Sequence, residues 1–169
     1  MRGYPALLAV RLREGWGTGL FCEGAVDESF DIGGRVLVLF DGHCGLCNGA
    51  ARWLLKRDRE DRLRFLALES ERAAGVLERH GMNGPGMETM VVVRDAGGAA
   101  ESVLERSDAV VELLRELPRP WPWVGAVMGC VPRVVRDFGY RVVARWRYRI
   151  WGRLESCPVP TAEERGRFL

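Results

Sequence analysis

The stretch that decides the reading is VLVLFDGHCGLCNGAARWLLKR, Val36 to Arg57. Val36 to Phe40 is a continuous apolar, β-branched run, which suits a strand covered on both faces. Asp41-Gly42 ends it, and a helix is expected from about Cys44 to Arg57, with Leu46, Ala50, Trp53 and Leu54 on one side. Cys44 and Cys47 therefore fall at the junction of a strand and a helix. Three readings of the pair are open: a redox centre, half of a metal site, or two buried thiols.

The strand and helix begin a longer series. Leu63 to Leu68 is short enough for a strand, and Ser70 is placed to cap a helix through Ala73, Ala74 and Leu77 that Gly81 ends. Asn83-Gly84-Pro85-Gly86 reads as a loop. Met90 to Val93 and Ala99 to Leu104 read as an antiparallel hairpin joined by Asp95 to Gly98. Ser107 then caps a helix through Val110, Val111, Leu114 and Leu117, which stops before Pro118. The order is β-α-β-α-β-β-α, that of a thioredoxin-like α/β domain with a mixed four-stranded sheet. The expected organisation is an irregular, Gly-rich extension over 1–34, a thioredoxin-like domain over 35–118, and an Arg-rich helical extension over 119–169 packed on that domain.

Bulk properties narrow the chemistry. A chain of 169 residues buries a core without disulfide or metal staples, so stability does not require the cysteines. A formal charge of +2 argues against a dedicated polyanion binder, and no nucleic-acid partner is expected. Met1-Arg2 is followed only by Ala6 to Val10 before Arg11, too short for a secretory leader, and no run reaches the length of a membrane span. The expected compartment is cytoplasmic, where a CxxC is catalytic or metal-binding rather than a structural bridge. Five cysteines at irregular spacings do not form a disulfide framework.

A thiolate is the reactive form of cysteine, and a helix N-terminus, with its unpaired N–H groups and partial positive charge, favours an anion. Cys47 follows Cys44 by one helical turn, so a reversible disulfide between them is sterically allowed. Cys44, at the helix tip, is expected to be the exposed attacking nucleophile and Cys47 the resolving thiol. His43, if protonated, favours the Cys44 thiolate by charge; if neutral it can exchange a proton. Asp41 either caps the turn or carries a proton for Cys47. The pair needs no further cofactor. Its partners are protein or low-molecular-weight thiols and disulfides.

At these residues the sequence resembles a known family. Asp41-Gly42-His43-Cys44-Gly45-Leu46-Cys47-Asn48 is similar to the DxxCxxC signature of the DCC family of thiol-disulfide oxidoreductases. Met90 to Val93, Arg106-Ser107-Asp108-Ala109 and Tyr148-Arg149-Ile150-Trp151-Gly152-Arg153 also fit its pattern, and the resemblance runs from about Arg35 to the C-terminus. It implies a thioredoxin-like fold and a disulfide oxidoreductase centre at Asp41, Cys44 and Cys47. One departure stands out. Thioredoxins carry a cis-proline just before the third strand, where this chain has Glu88-Thr89, and Pro85 lies too early.

Two other function classes compete. A zinc module would need two more ligands beside Cys44 and Cys47, and His80, Cys130 and Cys157 are scattered singly. A non-catalytic interaction domain on the same scaffold is the third reading. Cys130 is expected to be an inert core thiol, and Cys157 a structural loop cysteine with the alternative of a third thiol near the pair. From Trp121 onward nine arginines face four acids. Arg141, Arg145 and Arg149 share a helix face, with Val142, Val143, Trp146 and Ile150 supplying apolar surface. The adopted reading is a helix packed on the domain with a solvated basic face; docking on a membrane surface through those arginines is set second. Thr161 to Glu164 resembles a capping box.

Overall fold

The computed structural model describes residues 32–82, 89–155, 161 and 164–169. Cys22, Cys157 and the loop expected at 83–86 lie outside these residues. Strand β1 (Val36–Phe40) leads into helix α1 (Gly45–Leu55), followed by β2 (Leu63–Ala67), α2 (Glu71–Arg79), β3 (Val91–Arg94), β4 (Ser102–Glu105), α3 (Arg106–Glu116), α4 (Trp121–Cys130) and α5 (Arg133–Trp151). The sheet order is β2-β1-β3-β4. β1 runs parallel to β2, with Val36 opposite Leu63, and antiparallel to β3, which pairs antiparallel with β4. The fold is thioredoxin-like.

Every residue of β1 is buried, as a central strand covered on both faces requires. Alternate side chains serve two cores. Val36, Val38 and Phe40 meet Ala51, Leu54, Phe65 and Leu113 on one side, while Leu37 and Leu39 meet Leu66, Val76 and Val93 on the other. Burial on this scale, at about 25 cal/mol per Å² of apolar surface, dominates the stability of the domain. Near the C-terminus Phe168 stacks on Phe65, and the Leu169 N–H bonds to the Phe65 carbonyl at 3.0 Å, extending the outer edge of β2.

The Ser70 side chain caps α2 as expected, accepting from the Ala73 N–H at 3.2 Å. Ser107 does not cap α3. That helix begins one residue earlier, at Arg106, and the buried Ser107 hydroxyl donates to the Asp137 carboxylate of α5. The serine couples two helices because its position in the first turn points it at α5 rather than back along its own backbone. The Thr161 N–H bonds to the Glu164 carboxylate at 2.9 Å, half of the expected capping box, ahead of a short 3-10 turn over Arg165–Arg167.

Helices α4 and α5 pack on α3 and α1. Gly125 allows this approach: a Cβ there would lie 3.1 Å from the Val111 carbonyl oxygen and the Leu114 Cβ. Cys130, at the end of α4, is exposed rather than a core thiol, because that helix presents only one side to α3. The apolar residues of α5 also differ from expectation. Phe138 and Ile150 are each 63% exposed, and Val142, Val143 and Trp146 are exposed beside them. The side turned inward is polar: Arg136, Asp137, Tyr140, Ala144, Arg147 and Tyr148 are the half-buried and buried positions. The inward spacing of four, three and one residues is one helix face, and it is charged because of what lies beneath it.

Candidate active site

Cys44 is the N-cap of α1. Its backbone is extended, and its sulfur accepts the Cys47 N–H at 3.4 Å, which satisfies one of the orphan donors of the first turn. The turn before it is fixed from several sides. The Asp41 carboxylate accepts the His43 N–H at 2.9 Å, the Glu69 carboxylate accepts the Gly42 N–H at 3.1 Å, and the buried Asn48 amide donates to the Gly42 carbonyl at 2.7 Å.

The exposures of the two thiols reverse the sequence expectation. Cys44 is 0% exposed, whereas Cys47 is only half-buried. The cover over Cys44 is the chain leaving α5. The Leu154 N–H bonds to the His43 carbonyl at 2.8 Å, the Gly45 N–H points to the Gly152 carbonyl at 3.4 Å, and Arg153 forms a β-bridge with Cys44. Gly45 is required beneath this strap, since a Cβ would stand 2.3 Å from the Trp151 carbonyl oxygen.

Below the pair sits a buried polar cluster. Arg147 donates to the Tyr148 hydroxyl oxygen at 2.9 Å, Tyr148 donates to Asp41 Oδ2 at 2.5 Å, and Arg147 Nη2 also reaches Asp41 Oδ2 at 3.4 Å. Burial works to raise the Asp41 pKa, but the Tyr148 hydroxyl, the His43 N–H and the Arg147 charge outweigh it and hold the carboxyl below its ordinary range. The Asp41 carboxylate is thereby held ionised against Tyr148, Arg147 and the His43 N–H. Burial, together with the bond to Asp41, pushes Tyr148 up to about 12, so it remains a donor. Burial, then the hydrogen bond to the Cys44 sulfur and its charge, push Cys47 up to about 12 against the opposing pull of Arg147.

The His43 ring pairs with Glu69: its Nδ1 lies 3.2 Å from Glu69 Oε1 at the surface. Among the described residues, the cluster able to offer three metal-ligand atoms is Asp41, His43 and Glu69, and it contains neither cysteine. Its Asp41 is already committed to Arg147 and Tyr148, so the zinc reading at Cys44 and Cys47 finds no ligand partners there. Arg141, Arg145 and Arg149 are exposed on the flank of α5, remote from the polar face that meets the pair.

Reasoning from sequence missed Arg147, Tyr140 and Glu69, and it named Tyr148 only within the family-like stretch to Arg153, with no role attached. The Tyr140 hydroxyl holds the segment just before β3: it lies 3.0 Å from Thr89 Oγ1 and accepts the Met90 N–H at 3.0 Å. The signal for the α5 residues was present as the spacing Tyr140, Ala144, Arg147, Tyr148, but the more regular Arg141, Arg145, Arg149 row masked it.

The sequence model of the DCC1-like thiol-disulfide oxidoreductase family matches residues 38–153. The uncharacterized protein YuxK of Bacillus subtilis is 34% identical over 141 residues, covering 83% of this chain and 98% of that protein. A chloroplastic DCC family protein of Arabidopsis thaliana is 34% identical over 130 residues, covering 77% of this chain and 73% of that protein. No solved structure gives a significant match. Among the described residues no helix is long and apolar enough to cross a membrane.

Proposed function

Because the chain belongs to the DCC1-like thiol-disulfide oxidoreductase family, we propose that it exchanges disulfides through a reversible Cys44-Cys47 bond. The observation that carries the reading is the placement of the pair: Cys44 caps α1 and its sulfur accepts the Cys47 N–H, which sets the two cysteines together at the start of the helix. A negative charge developing on Cys44, as nucleophile or as leaving group, meets that N–H and the positive end of the helix. Asp41 and His43 are positioning residues in this reading. Asp41 fixes the turn through its ion pair with Arg147, and His43 braces it from outside through Glu69. No cofactor beyond the dithiol takes part, the partners are thiols and disulfides, and the working compartment is the cytoplasm, whose thiol pool keeps such a pair cycling.

The test is a redox titration of the full chain in dithiothreitol buffers, with free thiols alkylated and counted by intact mass. The expected result is loss of two alkylation sites in one cooperative step, abolished by Cys44→Ser and by Cys47→Ser. Persistence of both thiols across the whole range would refute the reading.

A further inference from the structure

Of Leu46, Ala50, Trp53 and Leu54, the helix side that periodicity marked, Leu54 is buried in the sheet core and Trp53 packs against it, while Leu46 and Ala50 lie outside it. They form one wall of a cleft of about 810 Å³, opposite Leu114 of α3 and Val143 of α5. Cys47 lies on the cleft lining and Cys44 does not. A volume of this order, with mostly apolar walls, is typical of a small-molecule site. The charged groups on the lining are Arg136 and Arg147, and each is turned to a carboxylate: Arg136 to Asp108 at 2.9 Å and Arg147 to Asp41 at 3.4 Å. An uncharged ligand suits such a lining, since a charged one would lose its hydration without gaining a counter-ion.

The main-chain groups an extended peptide would use near the dithiol are occupied from within. Tyr140 takes the Met90 N–H, and Gly152 and Leu154 take the Gly45 N–H and the His43 carbonyl. Docking of a peptide strand draws its affinity from such groups. Resting on the redox reading above, we propose that the cleft is the substrate site of the dithiol, that its substrate is an uncharged, low-molecular-weight dithiol or disulfide on an aliphatic body, and that Cys47 is the sulfur it joins.

Starting from the protein disulfide, one substrate thiolate attacks Cys47 Sγ. The Cys44-Cys47 bond breaks, and its electron pair goes to Cys44 Sγ, which the Cys47 N–H and the helix N-terminus receive. The second substrate thiol attacks the mixed disulfide and releases Cys47. The substrate leaves as its disulfide, having given two electrons to the protein, and the protons of its two thiols end on the two cysteines. The reverse sequence reduces a bound disulfide.

The experiment compares dihydrolipoamide, an uncharged dithiol on an aliphatic chain, with dithiothreitol, a polar dithiol, as reductants of the oxidised full chain at equal concentration. We expect dihydrolipoamide to react at least tenfold faster, and Ala50→Phe, which fills the cleft, to reduce that ratio toward one; Val143→Trp fills it from the opposite wall should Ala50→Phe not fold. With lipoamide, Cys44→Ser should retain an adduct mapped to Cys47 by peptide mass, and Cys47→Ser should retain none in the same time. Equal rates for the two dithiols, an adduct on Cys44, or a faster reaction with a reduced cysteine peptide would overturn the inference while leaving the redox reading intact. Failure of the pair to cycle even in dithiothreitol would instead refute the redox reading, and this one with it.

Discussion

Arg147 and Asp41, 106 positions apart in the chain, meet at 3.4 Å with only 3% and 9% of their side chains exposed. The ion pair ties the last long helix to the turn that carries the cysteines. Removing one partner of a buried pair leaves the other uncompensated, which costs about 3–5 kcal/mol. Asp41→Asn should therefore lower the urea midpoint by a corresponding amount, and Asp41→Asn with Arg147→Met should cost clearly less than the sum of the two single changes. Additive losses would show that the two side chains are not energetically coupled. The pH dependence has a definite sign. The folded-state pKa of Asp41 is lowered from 3.8, so its contribution is full above that value and is lost as pH falls below it through the lowered value.

Cys47 gives the opposite sign at the alkaline end. Its pKa rises from 9.0 to about 12, so the fold favours the neutral thiol. The stability this contributes is full below pH 9 and is lost as pH rises toward 12. For the reduced protein, the difference in unfolding free energy from Cys47→Ala should be constant between pH 6 and 8 and shrink above pH 9. Iodoacetamide should also modify Cys47 slowly across the neutral range, measured by peptide mass.

Gly45→Ala tests the strap. The added Cβ meets the Trp151 carbonyl oxygen at 2.3 Å, a backbone atom that cannot rotate aside. Overpacking costs about 1–3 kcal/mol, and here it falls on the strap rather than on the sheet core. Cys44 alkylation should rise by about tenfold for each 1.4 kcal/mol removed from strap closure. An unchanged Cys44 rate in a folded variant would mean that the strap does not limit access.

Tyr140→Phe removes the hydroxyl that accepts the Met90 N–H and contacts Thr89 Oγ1. A net loss of about 1 kcal/mol is expected in thermal or urea unfolding, with faster hydrogen exchange at the Met90 amide. Unaltered exchange there would indicate that water replaces the hydroxyl without penalty.

The sheet was legible in the sequence because its strands obey one rule: Val36 to Phe40 is apolar throughout and is buried throughout. The cysteine pair was legible for the same reason, since strand end, helix start and motif coincide within a few residues. What sequence could not supply were the partners that come from far away. Nothing local in Arg147 distinguishes it from Arg145 or Arg149, yet it is 2% exposed while they face solvent. Its side chain is buried because Asp41 awaits it, and that depends on where α5 lands. The exposure of Cys44 was misjudged similarly: a helix tip is open by default, and here residues 152–154, more than a hundred positions later, bond across it. The side formed by Leu46, Ala50, Trp53 and Leu54 has correct helical periodicity, and Leu54 is buried in the core, but all four also line a cleft, because periodicity identifies a face and not what that face meets.

The distance along the chain between Asp41 and Arg147 also sets an order of events during synthesis. A ribosome adds about 5–20 residues per second, so roughly 5–20 s separate the two residues in a nascent chain. In that interval the strand, the turn and both cysteines exist without the arginine, the tyrosine or the strap that completes their surroundings. The dithiol of an unfinished chain is thus an ordinary pair of thiols at a helix tip, open to any passing oxidant. Completion of the C-terminal helix is what gives the pair its buried counter-ion and its cover, so the final third of the polypeptide acts as the switch that commissions the site.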